Sequence, residues 1–253
     1  MKKWIVLILL ALLTGCATAP KNTLTQVSTI DALLAGAYDG QMTLGQILRY
    51  GDFGLGTFNA LNGEMIVLDH QVYQARVDGT VHLMPTNATT PFACVVSFLP
   101  DTTPCLKGAY TKETFQTAVN NLAPNQNLFL AVRFDGYFPL MKVRSVPKQT
   151  KPYPPLAEVT QHQAVFEYTG VKGTVLGFRC PAFVKGINVT GWHLHFISND
   201  KTKAGHILDF TTVGGNLQLD ACNRFYMILP EQNEFAALDL AQDRSAELEK
   251  VEK

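Results

Sequence analysis

The sequence predicts an α+β fold, a two-part architecture of mixed β-sheets with a few short helices. Three observations carry that reading. β-rich runs dominate the chain, and turn dipeptides such as Asn62-Gly63 and Asp78-Gly79 separate them. Helical segments are short and punctuate the strands. Residues 147–155 hold four prolines, which rules out regular structure there and marks a boundary between two halves. With 253 residues, 47% of them apolar, the chain can build one large core or two compact ones. Its 21 basic and 21 acidic residues leave no net charge, so it lacks the basic footprint of a nucleic-acid binder. A mean hydropathy of +0.06 excludes a polytopic membrane protein.

The elements follow in chain order. Lys2 and Lys3 precede an unbroken apolar run over 4–13, the length of a signal-peptide core and too short to span a bilayer. Leu13-Thr14-Gly15-Cys16 then resembles a bacterial lipobox, so 1–15 read as a lipoprotein signal and Cys16 as the lipidated first residue. Ala17 stands where an Asp would favour inner-membrane retention, which implies a cell-envelope protein, lipid-anchored in the outer membrane and facing the periplasm. The anchor would be a tether and not a span. Residues 16–27 read as that tether. Without the signal, 238 residues remain, with 19 basic and 21 acidic.

The first half is expected over 28–147. Ser28-Thr29-Ile30-Asp31 opens a short helix that ends near Gly36, and Thr43-Leu44-Gly45-Gln46 has capping-box spacing for a second. From Gly51, glycine-rich and β-rich segments alternate, with strands expected at 63–67, 71–77, 81–84 and 92–98. Thr111 caps a helix over 112–122 that stops before Pro124. Residues 128–134 and 137–146 read as a long hairpin about Asp135-Gly136. The second half, 148–253, is expected to bind metal and to end in a helical tail. It opens with a helix over 156–163. Strands follow at 165–168, 173–179, 192–198, 206–212, 217–220 and 224–228, and a charged helical tail at 235–253.

Cys94, Cys105, Cys180 and Cys222 allow either disulfides, with a local Cys94–Cys105 bridge among three possible pairings, or buried free thiols.

One constellation carries chemistry. Side chains two apart on a strand share a face, so His193 and His195 point the same way. The turn-forming run 199–205 returns the chain at His206. If His206 opposes His195 in an antiparallel hairpin, three imidazoles line one face, a site for a divalent ion with zinc the default. Three ligands leave positions open, the catalytic pattern. Such a site alone is equally compatible with a lyase, with a zinc hydrolase or hydratase of the envelope, or with a lipoprotein that only captures metal or ligand. Spacing cannot bring Glu64 or Arg144 to it. His70, His82 and His162 stand alone and read as surface residues.

Several motifs in order resemble the bacterial α-acetolactate decarboxylases. They are the glycine-rich Gly51-Asp52-Phe53-Gly54-Leu55-Gly56-Thr57-Phe58, then Leu61-Asn62-Gly63-Glu64-Met65, the Arg-then-Pro stretch from Val143-Arg144 to Pro154, Gly191-Trp192-His193-Leu194-His195-Phe196, and Gly205-His206. The resemblance runs from about Thr29 to the C-terminus. It implies a two-part α+β homodimer with His193, His195 and His206 as zinc ligands and no organic cofactor. It implies Glu64 and Arg144 as active-site residues, with Thr57 a weaker candidate. It also implies a second glutamate near the C-terminus: Glu252 by spacing, with Glu249 and Glu247 as alternatives. The substrate it implies is a small 2-hydroxy-3-keto acid, acetolactate, which loses carbon dioxide to give acetoin.

Overall fold

The computed structural model describes residues 21–252; the expected export signal and Cys16 lie outside them. The chain runs through β1 (Thr23–Val27), α1 (Ile30–Leu34), β2 (Met42–Thr43), α2 (Leu44–Ile47), β3 (Phe53–Thr57), β4 (Glu64–Leu68), β5 (Gln71–Ala75), β6 (Val81–Leu83), β7 (Thr89–Thr90), β8 (Ala93–Val96), β9 (Cys105–Thr111), α3 (Lys112–Leu122), β10 (Phe129–Ser145), α4 (Leu156–Val159), β11 (Ala164–Cys180), β12 (Gly191–Ser198), β13 (Ala204–Cys222), β14 (Arg224–Ile228), α5 (Glu234–Ala237) and α6 (Ser245–Val251). The expected α+β class holds: a seven-stranded and a five-stranded sheet, a two-stranded β2–β7 pair, and short helices around them.

The first sheet has seven strands in the order β14-β1-β8-β3-β4-β5-β6, with β1 and β14 parallel and the other neighbours antiparallel. The second runs β10-β11-β12-β13-β9, and β10 also pairs with β13, so four strands close a ring of pairings. The sheets do not divide the chain at the proline-rich stretch. β9 and β10, from before it, belong to the second sheet, and β14, from after it, belongs to the first.

Capping is as the side chains dictate. Thr29 accepts from Ala32 N at α1. Thr43 and Gln46 form the expected capping box at α2, and Thr111 caps α3 with Thr114 returning the bond.

Two expectations are corrected. Residues 16–27 are not wholly a tether, because Thr23–Val27 is a fully buried strand; Leu24 is in the core, and Gln26 is buried with its amide donating to the Ser28 and Ile187 carbonyls. Polar side chains masked a strand whose polar groups are satisfied inside. Residues 128–134 and 137–146 are not two arms of a hairpin but one 17-residue strand, β10. Gly136 lies mid-strand between Gly173 of β11 and Gly215 of β13. A Cβ at Gly136 would come within 2.7 Å of the Phe134 ring, and one at Gly173 within 2.5 Å of the Phe196 ring. This glycine row makes room for aromatic rings, and it also merges the two expected strands of β11 and of β13 into single ones.

The four cysteines among the described residues are free thiols; Cys94, Cys180 and Cys222 are buried and Cys105 is exposed, so there is no Cys94–Cys105 bridge. Burial pushes the Cys94 and Cys222 thiols up to about 12, which makes them poor nucleophiles.

Candidate active site

The site forms where the second sheet meets the first. β12 and β13 are antiparallel with His195 opposite His206, the register that puts three imidazoles on one face. Each imidazole offers a nitrogen within 4.8 Å of the others'. His195 and His206 are 0% and 3% exposed and His193 is 9%. Gly205 permits the close approach beside His206, since a Cβ there would stand 2.6 Å from the Arg144 carbonyl oxygen.

Three features of the triad fit a metal. The His195 Nδ1 lies 2.9 Å from the Met65 carbonyl oxygen, which makes it the protonated nitrogen and directs Nε2 into the site. His195 Nε2 and His193 Nδ1 are both buried without a hydrogen-bond partner. Burial, reinforced by the Arg144 charge, lowers the His193 pKa to about 3, and burial likewise holds His195 and His206 well below the usual range. The imidazoles are therefore neutral, the form that binds a cation.

Two carboxylates flank them. Glu64, the first residue of β4, places Oε2 3.7 Å from His195 Nε2. Glu252, the residue that ends α6, places Oε2 3.6 Å from His206 Nε2. Burial raises both carboxyls to about 7 against the lowering field of Arg144. Either can hold or release a proton near neutrality. Glu64 is aimed by the turn before it. Thr57 Oγ1 donates to the Gly63 carbonyl at 2.7 Å, and Gly63, at φ +81°, approaches Ala75 so closely that a Cβ would sit 2.3 Å from its oxygen.

Arg144 stands on β10 directly opposite His206, and it is 4% exposed. Its Nη1 donates to the Gln163 Oε1 at 3.0 Å, and its Nε is buried without a partner. The cavity is otherwise walled mainly by apolar side chains, Ile30, Leu33, Leu61, Leu156 and Val251 among them, with Thr57 and Thr160 the remaining polar ones. A cationic side chain with two titratable carboxyls in a largely apolar cleft can bind a small anion, stabilise charge on oxygen and move one proton.

All six sequence-derived site residues thus converge: His193, His195, His206, Glu64, Arg144 and Glu252. Thr57 lines the same cavity. Of the tail alternatives, Glu247 pairs with Arg244, and Glu249 lines a separate cavity of about 350 Å³ on the far side of Glu252. Gln163 is absent from the sequence reading. It follows a single turn of helix, and nothing in its neighbours marks it as reaching an arginine nineteen residues earlier. His70 and His162 are exposed and His82 half-buried, all away from the cavity.

Comparison with known proteins agrees with this geometry. The family model for alpha-acetolactate decarboxylase matches residues 24–242. The alpha-acetolactate decarboxylase of Methanosarcina mazei is 44% identical over 92% of this chain and 81% of its own, and that of Methylococcus capsulatus is 43% identical over 90% and 87%. The crystal structure of alpha-acetolactate decarboxylase from Bacillus subtilis strain 168 superposes with a TM-score of 0.89 at 37% identity, covering 91% of this chain and 99% of that one. The family match stops ten residues short of Glu252, so the tail glutamate is placed by the fold and not by that match. The chain belongs to the alpha-acetolactate decarboxylase family, and it is a decarboxylating lyase.

Proposed function

We propose that the enzyme converts (S)-2-acetolactate to (R)-acetoin and carbon dioxide, with zinc held by His193, His195 and His206. The observation that carries the reading is the convergence of Glu64, Arg144 and Glu252, from three distant segments, on three neutral imidazoles. Three imidazole nitrogens without sulfur suit zinc among common divalent ions. When bound, zinc supplies Lewis acidity that lowers the energy of negative charge on nearby oxygens.

The residues then divide the work. Arg144 pairs its planar fork with the substrate carboxylate and orients the bond to be broken. As that carbon–carbon bond breaks, its electron pair passes into the adjacent ketone and carbon dioxide leaves. A proton from Glu252 or Glu64 then adds to the carbon that lost the carboxylate. Delivery from one wall of the cleft makes one enantiomer, and the apolar walls exclude water that would protonate from the other side.

Incubation of zinc-loaded protein with racemic acetolactate tests this. Acetoin should form well above the spontaneous rate, with one enantiomer dominant on a chiral column. Chelation should abolish it and zinc should restore it. Racemic acetoin, or undiminished activity in fully metal-free protein, would overturn the reading. The lipid anchor at Cys16 and the homodimer belong to the same proposal; mass spectrometry of the mature N-terminus and sedimentation of the purified protein test them.

A further inference from the structure

Arg144 is a buried cation without an anionic contact. Among the described residues no carboxylate lies within 4.0 Å of it, whereas Arg133 holds two and Arg244 one. Glu64 and Glu252 feel its field but do not touch it. Its one side-chain partner is a neutral amide, Gln163 Oε1 at 3.0 Å, and its Nε is left unmatched. The other deeply buried arginine offers a contrast. Arg179 also leaves Nε unmatched, but it spends Nη1 on Asn120 Oδ1 and the Ala123 carbonyl, and Nη2 on the Asn125 carbonyl, so it ties down the end of α3. Arg144 is fixed at one nitrogen only.

The fold sets Gln163 for this. It follows the 3-10 turn 160–162 and immediately precedes β11, whose Ala164 and Val165 pair with Ser145 and Arg144. A residue at 163 therefore lies beside the guanidinium whatever its side chain. A carboxylate there would form a buried ion pair and neutralise the arginine.

We propose that Gln163 is a positioning residue that fixes Arg144 through a neutral hydrogen bond and so reserves its charge for a small carboxylate. The proposal rests on Arg144 receiving the substrate carboxylate, and the two can fail separately.

Zinc-loaded wild type, Q163E, Q163A and R144Q would be titrated calorimetrically with 2-hydroxyisobutyrate, a 2-hydroxy acid that has no ketone and is not decarboxylated, and with its uncharged amide. Zinc content and melting temperature are read on each. Q163E should weaken the acid at least about tenfold and leave the amide within about twofold, with zinc content unchanged. Q163A keeps the arginine charged but loosely held. It should retain the preference for acid over amide, while kcat for acetolactate falls more than KM rises. If Q163E binds the acid like wild type while R144Q does not, the proposal is overturned and the role of Arg144 stands. If R144Q also binds it like wild type, the reading of the site is overturned as well. Should Q163E fail to fold or to hold zinc, wild-type kcat in Q163A overturns the proposal on its own.

Discussion

At the scale of single residues, the site works because burial sets protonation before any substrate arrives. Desolvation keeps three imidazoles neutral and raises two carboxyls to about 7; the Arg144 field reinforces the first effect and opposes the second. Glu252 is the sharper test of the pair, since it enters the site from a terminal helix and lies outside the matched family segment. Replacing it with glutamine preserves shape and removes one of the two carboxyls proposed to deliver the proton. E252Q should keep full zinc content and lose about 10²- to 10⁴-fold in kcat, read by acetoin formation alongside metal analysis. The histidines were legible because strand periodicity alone puts 193 and 195 on one face. Glu64, Arg144 and Glu252 were legible only through resemblance, because their meeting depends on two sheets docking. Gln163 left no trace, since an amide that reaches across two strands has no spacing signature.

At the scale of elements, the glycine row is the least expected feature. Gly173, Gly136 and Gly215 run across three neighbouring strands beneath Phe134 and Phe196. Those rings belong to a cluster in which Phe138 stacks edge-on against Phe134, Phe196 and Phe210. An alanine at 136 would overpack that cluster. G136A should destabilise the protein by about 1–3 kcal/mol, measured by denaturant unfolding, with the zinc content of the folded protein unchanged. The same row explains why three long strands read as six short ones. Glycine in sequence signals a turn, and only the rings above it show that here it signals a floor. The first three helices were read correctly because their caps are local: Thr29, Thr43 and Thr111 bond within three residues of themselves. The expected helical tail at 235–253 is instead two short helices, Glu234–Ala237 and Ser245–Val251, neither with a side-chain cap.

The turn between β12 and β13 carries its own pH signature. Asp200 accepts hydrogen bonds from Ser198 Oγ and from both the backbone and hydroxyl of Thr202, which lowers its carboxyl to about 2. A folded pKa below the unfolded value of about 3.9 gives stability that is present above about pH 4 and lost as pH falls toward 2. D200A should therefore unfold at lower denaturant than wild type at pH 7, and the gap should narrow between pH 4 and pH 2 in metal-free protein. An equal gap at every pH would refute the assignment.

At the scale of the whole molecule, the histidine triad sits where the two sheets meet. His195 of the second sheet bonds the Met65 carbonyl of the first, and Glu64, one residue earlier on β4, faces the triad. A ligand that binds only the folded triad stabilises both sheets together. Zinc at a hundred times its dissociation constant should add about 2.7 kcal/mol to unfolding. Calorimetry with and without chelator should show one transition that moves as a unit; two transitions, with only one of them metal-sensitive, would show the sheets to be independent.

The parallel pairing of β1 with β14 has a consequence in time. Leu24 sits beside Phe225, so the second-sheet segments lie between the two partners in the chain. At roughly 5–20 residues per second, a ribosome needs on the order of 10–40 s to make the intervening chain. For that interval one edge of β1 has no neighbour, and the cleft lacks the helix that carries its last carboxylate. A chain interrupted before α6 therefore carries all three histidines and yet lacks the carboxylate that faces His206.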